Sequence, residues 1–371
     1  MRIAILTNSY PPDGRGGTER IAYLQASGLR ERGHEIQIWA PMSGSGYEAN
    51  IVRFKSRFNE IGSLNPVSRL VWHLLEDIGM NHEAVDSIAE WKPDVLITHN
   101  LTGCGIKTPG AIVERLGIPW MHTLHDVQLT DPSGQIRLAD SDRGRLWRGF
   151  WSWVRCSRLG TPDVLVSPTN WLLAWHKNYG FKGGREIVIP NPVQLGLQKN
   201  RQFQKPYTLL YVGRLTRDKG FDVYFDLVSK LNHDLVRKFV VIGDGALREE
   251  ADRVEYLGVQ SPEETRRAIA SADLLVAPSA ILENQQTILL EAMAEGTPVV
   301  ATDVGGTRET LTGTGCPVAI AREIPRTTLQ LLEHPDHMKQ ISGSMQDVAQ
   351  KHSERNYFDS LSSILTGLRK S

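Results

Sequence analysis

The sequence has few cysteines, no long apolar run and no excess of charge of either sign. Its three cysteines, Cys104, Cys156 and Cys316, lie far apart and form no C-x-x-C pair, which argues against a disulfide framework and against a zinc site. No run of about eighteen apolar residues occurs, and the N-terminal MRIAILTN lacks the cleavage pattern of a signal peptide. These absences predict that the chain has no membrane-spanning helix and no secretion signal. They favour a location in the reducing cytoplasm.

Charge is balanced along the chain as well as in total. Lys and Arg together number 42, as do Asp and Glu, and neither side of residue 195 departs from balance by more than two charges. This distribution argues against nucleic-acid binding, which needs a strongly basic domain or patch. With 371 residues and 40% hydrophobic content, the chain is too long for one ordinary core and suits two globular domains.

Short apolar runs that end in polar or small residues recur through the first half. Residues 2–7 (RIAILT) predict a strand, the apolar spacing over 18–32 predicts a helix, and 34–40 predicts a second strand. Further strands are predicted within 92–100, 118–126 and 161–170. This alternation is typical of a doubly wound, parallel α/β sheet, in which the carboxyl ends of the strands form the ligand crevice.

A polar segment separates this series from a second one. The chain turns polar after IPNPV (189–193), and YTLLYVG (207–213) starts a new series of strands and helices. We therefore predict two Rossmann-like domains, at 1–195 and 196–352, followed by a terminal helix within 353–371.

Two loops of the second half carry residues suited to an anion. The segment GRLTRDKG (213–220) follows a predicted strand and precedes a helix, and it contains Arg214 and Lys219. Backbone N–H groups and the helix dipole favour phosphate at such a position. The next strand ends in GDG (243–245), where the absence of side chains lets a ligand approach the backbone.

Two carboxylates follow, and with them a family resemblance. Glu283 and Glu291 stand eight residues apart, with Glu291 on a predicted helix, so they can accept hydrogen bonds from two places on one sugar ligand. The order GRL..DKG, GDG, E-x7-E and EAMAEGTPVVATDVGG, preceded by GG.ER (16–20) and TLHD (123–126), resembles the GT4 family of retaining, nucleotide-sugar-dependent glycosyltransferases.

The resemblance implies the GT-B fold, with an N-terminal acceptor domain and a C-terminal donor domain facing across a cleft. The terminal helix would cross back to the first domain. The implied reaction moves a sugar from a nucleotide-sugar donor to a glycan, lipid-linked or small-molecule acceptor. The resemblance implies a UDP-sugar donor, because uridine is the commonest base in this family. Same-face displacement would retain the anomeric configuration, and neither a metal nor another cofactor is expected.

The resemblance also assigns roles to residues. Arg214 and Lys219 would hold the donor diphosphate and stabilise its growing charge, Glu283 would bind the transferred sugar, Glu291 the ribose, and His125 the sugar ring. The implied catalytic residues are His125, Arg214, Lys219 and Glu283. The implied donor-binding residues are Gly16, Gly17, Gly213, Arg214, Lys219, Gly243, Gly245, Glu283, Asn284, Gln285, Gln286, Thr287 and Glu291.

One loop departs from the family pattern. After the first Glu of E-x7-E the family usually has an aromatic residue and then a glycine, whereas this chain has Gln285 and Gln286 at those positions. A glutamine in place of glycine restricts the backbone and adds hydrogen-bonding groups. The identity of the transferred sugar therefore stays open.

Each assigned residue also has a plainer interpretation. Arg214 and Lys219 could form an ordinary solvated pair, and His125 could be a hydrogen-bonded core histidine. Asp140 and Asp142 have D-x-D spacing, but they lie in a polar, Arg-rich stretch without a preceding strand. Metal binding there is not predicted, because a cation site needs ligands fixed by regular elements.

The segment 143–159 (RGRLWRGFWSWVRCSRL) carries five arginines, three tryptophans and no acid. On a helix its aromatic residues fall on one side and Arg145, Arg148 and Arg155 on the other, a profile typical of an interfacial helix. The alternative is a domain helix that buries its aromatic face against the sheet. The membrane interpretation predicts peripheral contact with an anionic surface, at the inner membrane face, that depends on these three arginines.

Two other functions compete with glycosyl transfer. A catalytically idle nucleotide-sugar-binding protein would need only the motifs of the second half, whereas this chain also has GG.ER and His125. A dinucleotide-dependent oxidoreductase is disfavoured, because the first strand leads into SYPPDGRGG and not into G-x-G-x-x-G.

Overall fold

The structure is a computed structural model that describes residues 1–10, 17–42, 50–131, 133–137, 144–196 and 200–369. The chain divides into two compact units. The first comprises Met1–Ile136, Ser141–Pro190 and the chain from Phe358 onward, and the second comprises Arg137–Asp140 and Asn191–Tyr357. Each unit is built on its own parallel sheet.

Seven strands form the sheet of the first unit, in the order β3-β2-β1-β4-β5-β6-β7. Their bounds are β1 Arg2–Leu6, β2 Glu35–Pro41, β3 Ile51–Phe54, β4 Val95–Thr98, β5 Trp120–Thr123, β6 Val164–Ser167 and β7 Arg185–Val188. The central strands are buried apolar runs, as expected where helices cover both faces of a parallel sheet. β1 pairs with β2 on one side and β4 on the other, so the loops after β1 and β4 meet at the topological switch point.

Helices connect these strands. Their bounds are α1 Gly17–Glu31, α2 Pro66–Trp72, α3 His82–Trp91, α4 Thr108–Leu116, α5 Arg145–Leu159 and α6 Asn170–Asn178, with a 3-10 turn at Phe58–Ser63 and a π-helical turn at His73–Asp77. α3 and α6 begin at polar caps, because the side chains of Asn81 and Thr169 accept hydrogen bonds from the backbone N–H groups of Ala84 and Leu172.

The orientation of α5 corrects one prediction. Arg148 and Arg155 are buried, so they do not share an exposed basic face with Arg145, and the prediction that all three contact an anionic surface is wrong for these two. Arg155 Nη1 donates to Asp77 Oδ2 at 3.0 Å, and both side chains are inaccessible to solvent. This buried ion pair holds the arginine side of α5 against the π-helical turn.

Six strands form the sheet of the second unit, in the order β10-β9-β8-β11-β12-β13. Their bounds are β8 Tyr207–Val212, β9 Val236–Ile242, β10 Val254–Gly258, β11 Leu274–Ala277, β12 Val299–Thr302 and β13 Val318–Ala319. The helices of this part of the chain are α7 Phe221–Lys230, α8 Pro262–Ser271, α9 Thr287–Glu295, α10 Thr307–Thr310, α11 Ile324–Leu332 and α12 Pro335–Lys351. β8 lies between β9 and β11, so the loops after β8 and β11 meet at a second switch point.

The last helix, α13 (Glu354–Leu368), supplies Phe358 to the first unit. A Cβ atom at Gly28 of α1 would lie 2.0 Å from the Phe358 ring, so only glycine admits the ring at this distance. The guanidinium of Arg32 lies 4.1 Å from the centroid of the same ring. The doubly wound α/β architecture predicted from the sequence is confirmed in both units.

Candidate active site

The two loops at the switch point of the second unit bring a cation and a carboxylate together. Lys219, at the end of a 3-10 turn after β8, places Nζ 2.6 Å from Oε1 of Glu283, in the loop after β11. The hydroxyl of Ser279 donates to the same Oε1 at 2.8 Å. The backbone N–H of Ala280 donates to the carbonyl of Asp218 at 3.0 Å, which joins the two loops beside this pair.

A buried tyrosine fixes the loop that carries Arg214 and Lys219. The hydroxyl of Tyr211, on β8, donates to the carbonyl of Arg214 at 2.7 Å and lies 3.3 Å from the carbonyl of Lys219. Burial, with the nearby Glu283, raises the pKa of Tyr211 well above its ordinary value, so it stays a neutral donor. The Arg214 side chain is exposed and is therefore accessible to an anion.

The GDG loop packs directly on this one. A Cβ atom at Gly243 would lie 1.9 Å from the carbonyl oxygen of Gly213, so the contact requires glycine. The backbone N–H of Leu215 donates to the carbonyl of Asp244 at 2.9 Å, next to Gly245. The two glycine-containing loops named from the sequence thus form one surface at the ends of β8 and β9.

The family departure at positions 285 and 286 has a structural explanation. Gln285 is buried and its Oε1 accepts a hydrogen bond from the backbone N–H of Asn191 at 2.6 Å, so the amide ties two segments of the second unit together. Gln286 has φ −64° and ψ 120°, an ordinary conformation that needs no glycine. The substitution therefore introduces no backbone strain.

The remaining assigned residues of this loop continue into α9. Asn284, which follows Glu283 in the sequence, is buried. Thr287 is the first residue of α9, and Glu291 is a buried residue of the same helix. A carboxylate buried on a helix that begins beside Lys219 and Glu283 is chemically suited to accept hydrogen bonds from a ligand hydroxyl.

The first unit places a chain of three polar side chains at its own switch point. His99 follows β4, and its Nδ1 lies 2.7 Å from Nε2 of His125, which follows β5. The Nε2 of His99 lies 3.0 Å from Oε1 of Gln25 on α1. Sequence reasoning selected His125 and missed His99 and Gln25, although His99 stands at the end of a predicted strand.

With Oε1 of Gln25 facing His99, the hydrogen bonds of this chain define one set of proton positions. An amide oxygen only accepts, so His99 must donate from Nε2 and accept at Nδ1, and His125 must donate from Nε2. Burial lowers the pKa of His99 to about 3 and that of His125 well below its ordinary value, so both rings are neutral. In this tautomer Nδ1 is the unprotonated ring nitrogen of His125.

Asp126, next to His125, is an unusual buried carboxyl. Its Oδ2 accepts from the side-chain amide of Asn100 at 2.9 Å, and its Oδ1 accepts from the backbone N–H of Gln128 at 2.7 Å. Burial raises its pKa to about 6 in spite of these hydrogen bonds. Its charge therefore changes near neutral pH.

Of the two assigned glycines near the N-terminus, Gly16 lies outside the described residues and Gly17 is the first residue of α1. Asp140 and Asp142, for which no metal binding was predicted, also lie outside the described residues. Across the described part of the chain, no group of three or more His, Cys, Asp or Glu side chains could hold a metal ion. The helices described are also too short or too polar for any of them to cross a bilayer.

Two Rossmann-like units, with these loops at their switch points, place the chain among GT-B proteins. Residues 15–197 match the family model described as Glycosyltransferase Family 4, and residues 206–334 match the one described as Glycosyl transferases group 1. The chain belongs to the GT4 family of glycosyltransferases, as its motifs predicted.

Curated relatives agree with this assignment, and a solved structure shares the fold. The chain is 24% identical to an uncharacterised 42.6 kDa protein of the Klebsiella pneumoniae cps region, over 83% of this chain and 87% of that protein. It is 24% identical to the lipopolysaccharide 1,2-N-acetylglucosaminetransferase of Salmonella typhimurium, over 81% and 79%. The structure of Anabaena HepE in complex with UDP superposes with a TM-score of 0.71, at 16% identity, over 99% of this chain and all of that one.

Proposed function

We propose that this glycosyltransferase moves a sugar from a UDP-sugar to a glycan or glycolipid acceptor with retention of configuration. The observation that carries the proposal is the contact of Lys219 with Glu283 at the switch point of the second unit, with Arg214 exposed in the same loop. It pairs a cation suited to a diphosphate with a carboxylate suited to sugar hydroxyls.

In the proposed reaction the acceptor hydroxyl attacks the anomeric carbon on the face from which the diphosphate departs. The bond from that carbon to the diphosphate breaks, and a leaving phosphate oxygen takes the proton of the hydroxyl. Arg214, Lys219 and backbone N–H groups would stabilise the charge that grows on the diphosphate. Glu283 and His125 would orient the sugar, and we propose that no metal takes part.

The donor and acceptor classes have support from proteins similar to this one. Anabaena HepE has been solved with UDP and with UDP-glucose, and one relative is named as a lipopolysaccharide sugar transferase. By analogy we propose a uridine nucleotide and a saccharide acceptor for this chain. A glycolipid acceptor would be presented at a membrane surface.

Binding and turnover test the proposal separately. UDP at about 100 times its Kd should stabilise the protein by about 2.7 kcal/mol, whereas ADP at the same concentration should stabilise it less. Transfer to acceptor, or slow hydrolysis of the donor, should persist in EDTA and give a product with the anomeric configuration of the donor. Donor binding without turnover over a broad acceptor panel would favour the idle binding protein, and loss of activity in EDTA with recovery on Mn²⁺ would contradict metal independence.

Variants of one loop test the residue roles. Arg214→Ala and Lys219→Ala should each lower kcat by about 10² to 10³ while the protein stays folded. The double variant should depart from the product of the two effects, because both cations serve the same charge. Arg217→Ala is the matched control, since Arg217 is exposed in the same loop. Activity within about threefold of wild type for both single variants would contradict the assigned donor site.

A further inference from the structure

The helix α5 turns large apolar side chains toward solvent. Leu146, Trp147, Phe150 and Trp153 are 92%, 48%, 51% and 66% exposed, and three of them stand at positions i, i+4 and i+7, which share one face of a helix. We call these four residues the α5 apolar stripe. An ordinary surface helix exposes its polar face, whereas α5 buries Trp151, Val154 and Leu159 and still turns this apolar stripe to solvent.

Buried charge holds α5 in this orientation. Arg155 pairs with the buried Asp77 at 3.0 Å, and Asp77 Oδ2 also lies 3.2 Å from Nδ1 of His73. The buried Arg148 lies 4.0 Å from Asp131. Rotating α5 to bury the stripe would expose these arginines and leave Asp77 buried without its cation, which is costly.

The element that holds Arg155 adds a second exposed apolar run. His73 of the π-helical turn packs edge-on against Trp151 of α5, with ring centroids 5.8 Å apart. The continuous helical segment formed by α2 and this turn exposes Val67, Val71 and Leu75. Seven of the thirteen large hydrophobic side chains exposed in the described part of the chain thus lie on these two neighbouring elements.

The charge of α5 and of the chain that follows it favours an anionic partner. From Gly144 to Arg185 the sequence has seven Lys and Arg residues and one acid, Asp163. Four of these cations are exposed, namely Arg145, Lys177, Lys182 and Arg185, although Lys177 pairs with Glu186. A second copy docked symmetrically would bring identical cationic surfaces together, whereas an anionic lipid surface complements them.

We propose that the α5 apolar stripe inserts into the interface of an anionic lipid bilayer, with Arg145 at the headgroup level. Tryptophan and phenylalanine suit this boundary because their rings tolerate the region between acyl chains and headgroups. Apolar insertion, and not the buried arginines, supplies most of the binding. The contact needs neither donor nor turnover, so it stands apart from the proposed reaction.

Vesicle binding of the full-length protein tests the inference. Wild type should co-sediment with vesicles of phosphatidylglycerol and phosphatidylcholine, and much less with phosphatidylcholine alone. Replacing all four stripe residues with Ser should weaken binding at least about tenfold, with an unchanged thermal unfolding midpoint. Arg145→Gln should weaken it about fivefold, whereas Arg148→Gln should act on stability. Val259→Ser and Tyr23→Ser are controls, because both side chains are exposed elsewhere.

A second measurement covers the case in which the fourfold variant does not fold. Brominated acyl chains should quench tryptophan fluorescence on binding, and Trp153→Phe should reduce that quenching while binding persists. Absence of vesicle binding by wild type at low salt would overturn the inference, as would equal binding by the folded fourfold variant. Dimerisation through the stripe without vesicle binding would overturn it in favour of a second copy.

Discussion

Lys219 Nζ and Glu283 Oε1 lie 2.6 Å apart, and their side chains are 29% and 14% exposed. The cation assigned to the diphosphate therefore has an ion-pair partner within the protein. In the proposed reaction a diphosphate at Lys219 would share or replace that contact, and Glu283 would then be available to the sugar. The same pair would thus couple the two parts of the donor.

Glu283→Gln should separate the affinities for UDP and for a UDP-sugar. Removal of the carboxylate frees Lys219 from its ion pair. UDP should therefore bind as tightly as before or up to about fivefold more tightly, because a partly exposed ion pair contributes at most about 1 kcal/mol. The UDP-sugar should bind more weakly, because its hydroxyls lose an acceptor. Calorimetric titration with both ligands measures this.

Two further variants serve as comparisons for the affinities of Glu283→Gln. Asp303→Asn removes the carboxylate of a different ion pair of the second unit, between Asp303 and Arg308. This variant should change neither the affinity for UDP nor that for the UDP-sugar. Glu291→Ala should weaken both ligands, because both contain the ribose. Equal losses of UDP and UDP-sugar in Glu283→Gln would contradict the assigned role of Glu283.

The sequence predicted most of the fold because the central strands are buried on both faces and read as apolar runs. The predicted strands at 2–7, 161–170 and 207–213 are observed as β1, β6 and β8. β3, β7 and β13 were not predicted. They are edge strands with no fully buried run of residues, so periodicity gives little signal for them.

The site was predictable where it is contiguous in sequence and not where it depends on distant contacts. Lys219 and Glu283 came from motifs, but Ser279, His99 and Gln25 contribute through partners that only the fold brings near. α5 shows the same limit. A helical wheel gave the relative placement of its arginines and tryptophans, but its absolute orientation depends on Asp77, far away in the sequence.

Gly305→Ala should disturb the Glu283 loop. Gly305 has φ +57°, and a Cβ there would lie 2.0 Å from the carbonyl oxygen of Glu283, which accepts the Gly306 N–H at 2.8 Å. Backbone must move to admit the methyl group, so UDP-sugar affinity should fall about tenfold or more. Gly313→Ala is the control, because its φ is +84° but its nearest contact is at 3.5 Å. Equal affinities for the two variants would show that the contact is unimportant.

Acid should destabilise the first unit through its buried histidines. Burial lowers the pKa of His99 and His122 to about 3 and of His176 to about 4. Below about pH 6.5 the unfolded chain binds these protons and the native chain does not, so stability falls as pH falls. Asp126 has the opposite effect, because its pKa is raised to about 6 in the native protein and it therefore takes up a proton there before it does in the unfolded chain. It contributes only one proton, whereas the three histidines contribute three.

Tryptophan fluorescence reports this unit alone, because all nine tryptophans lie between positions 39 and 175. Denaturant unfolding at pH 7, 6 and 5 should show a decreasing midpoint, with about 1.4 kcal/mol per pH unit for each proton taken up. His99→Gln should reduce the dependence, whereas His233→Gln, at an exposed site of the second unit, should not. A midpoint independent of pH would contradict the neutral state of the histidines.

The ion pair of Asp77 and Arg155 should be among the most sensitive sites for stability of the first unit. Burial opposes ionisation of Asp77, but Arg155 and His73 outweigh it, and its pKa lies below the ordinary value. Asp77→Ala would leave the inaccessible Arg155 without its carboxylate, which costs about 3 to 5 kcal/mol.

Asp86→Ala removes an exposed partner of Arg115 and should cost at most about 1 kcal/mol. The double variant Asp77→Leu with Arg155→Met should recover stability relative to Asp77→Ala, because no buried charge remains unpaired. Unfolding followed by tryptophan fluorescence measures all three variants, and equal losses for Asp77→Ala and Asp86→Ala would show that the buried pair does not anchor α5.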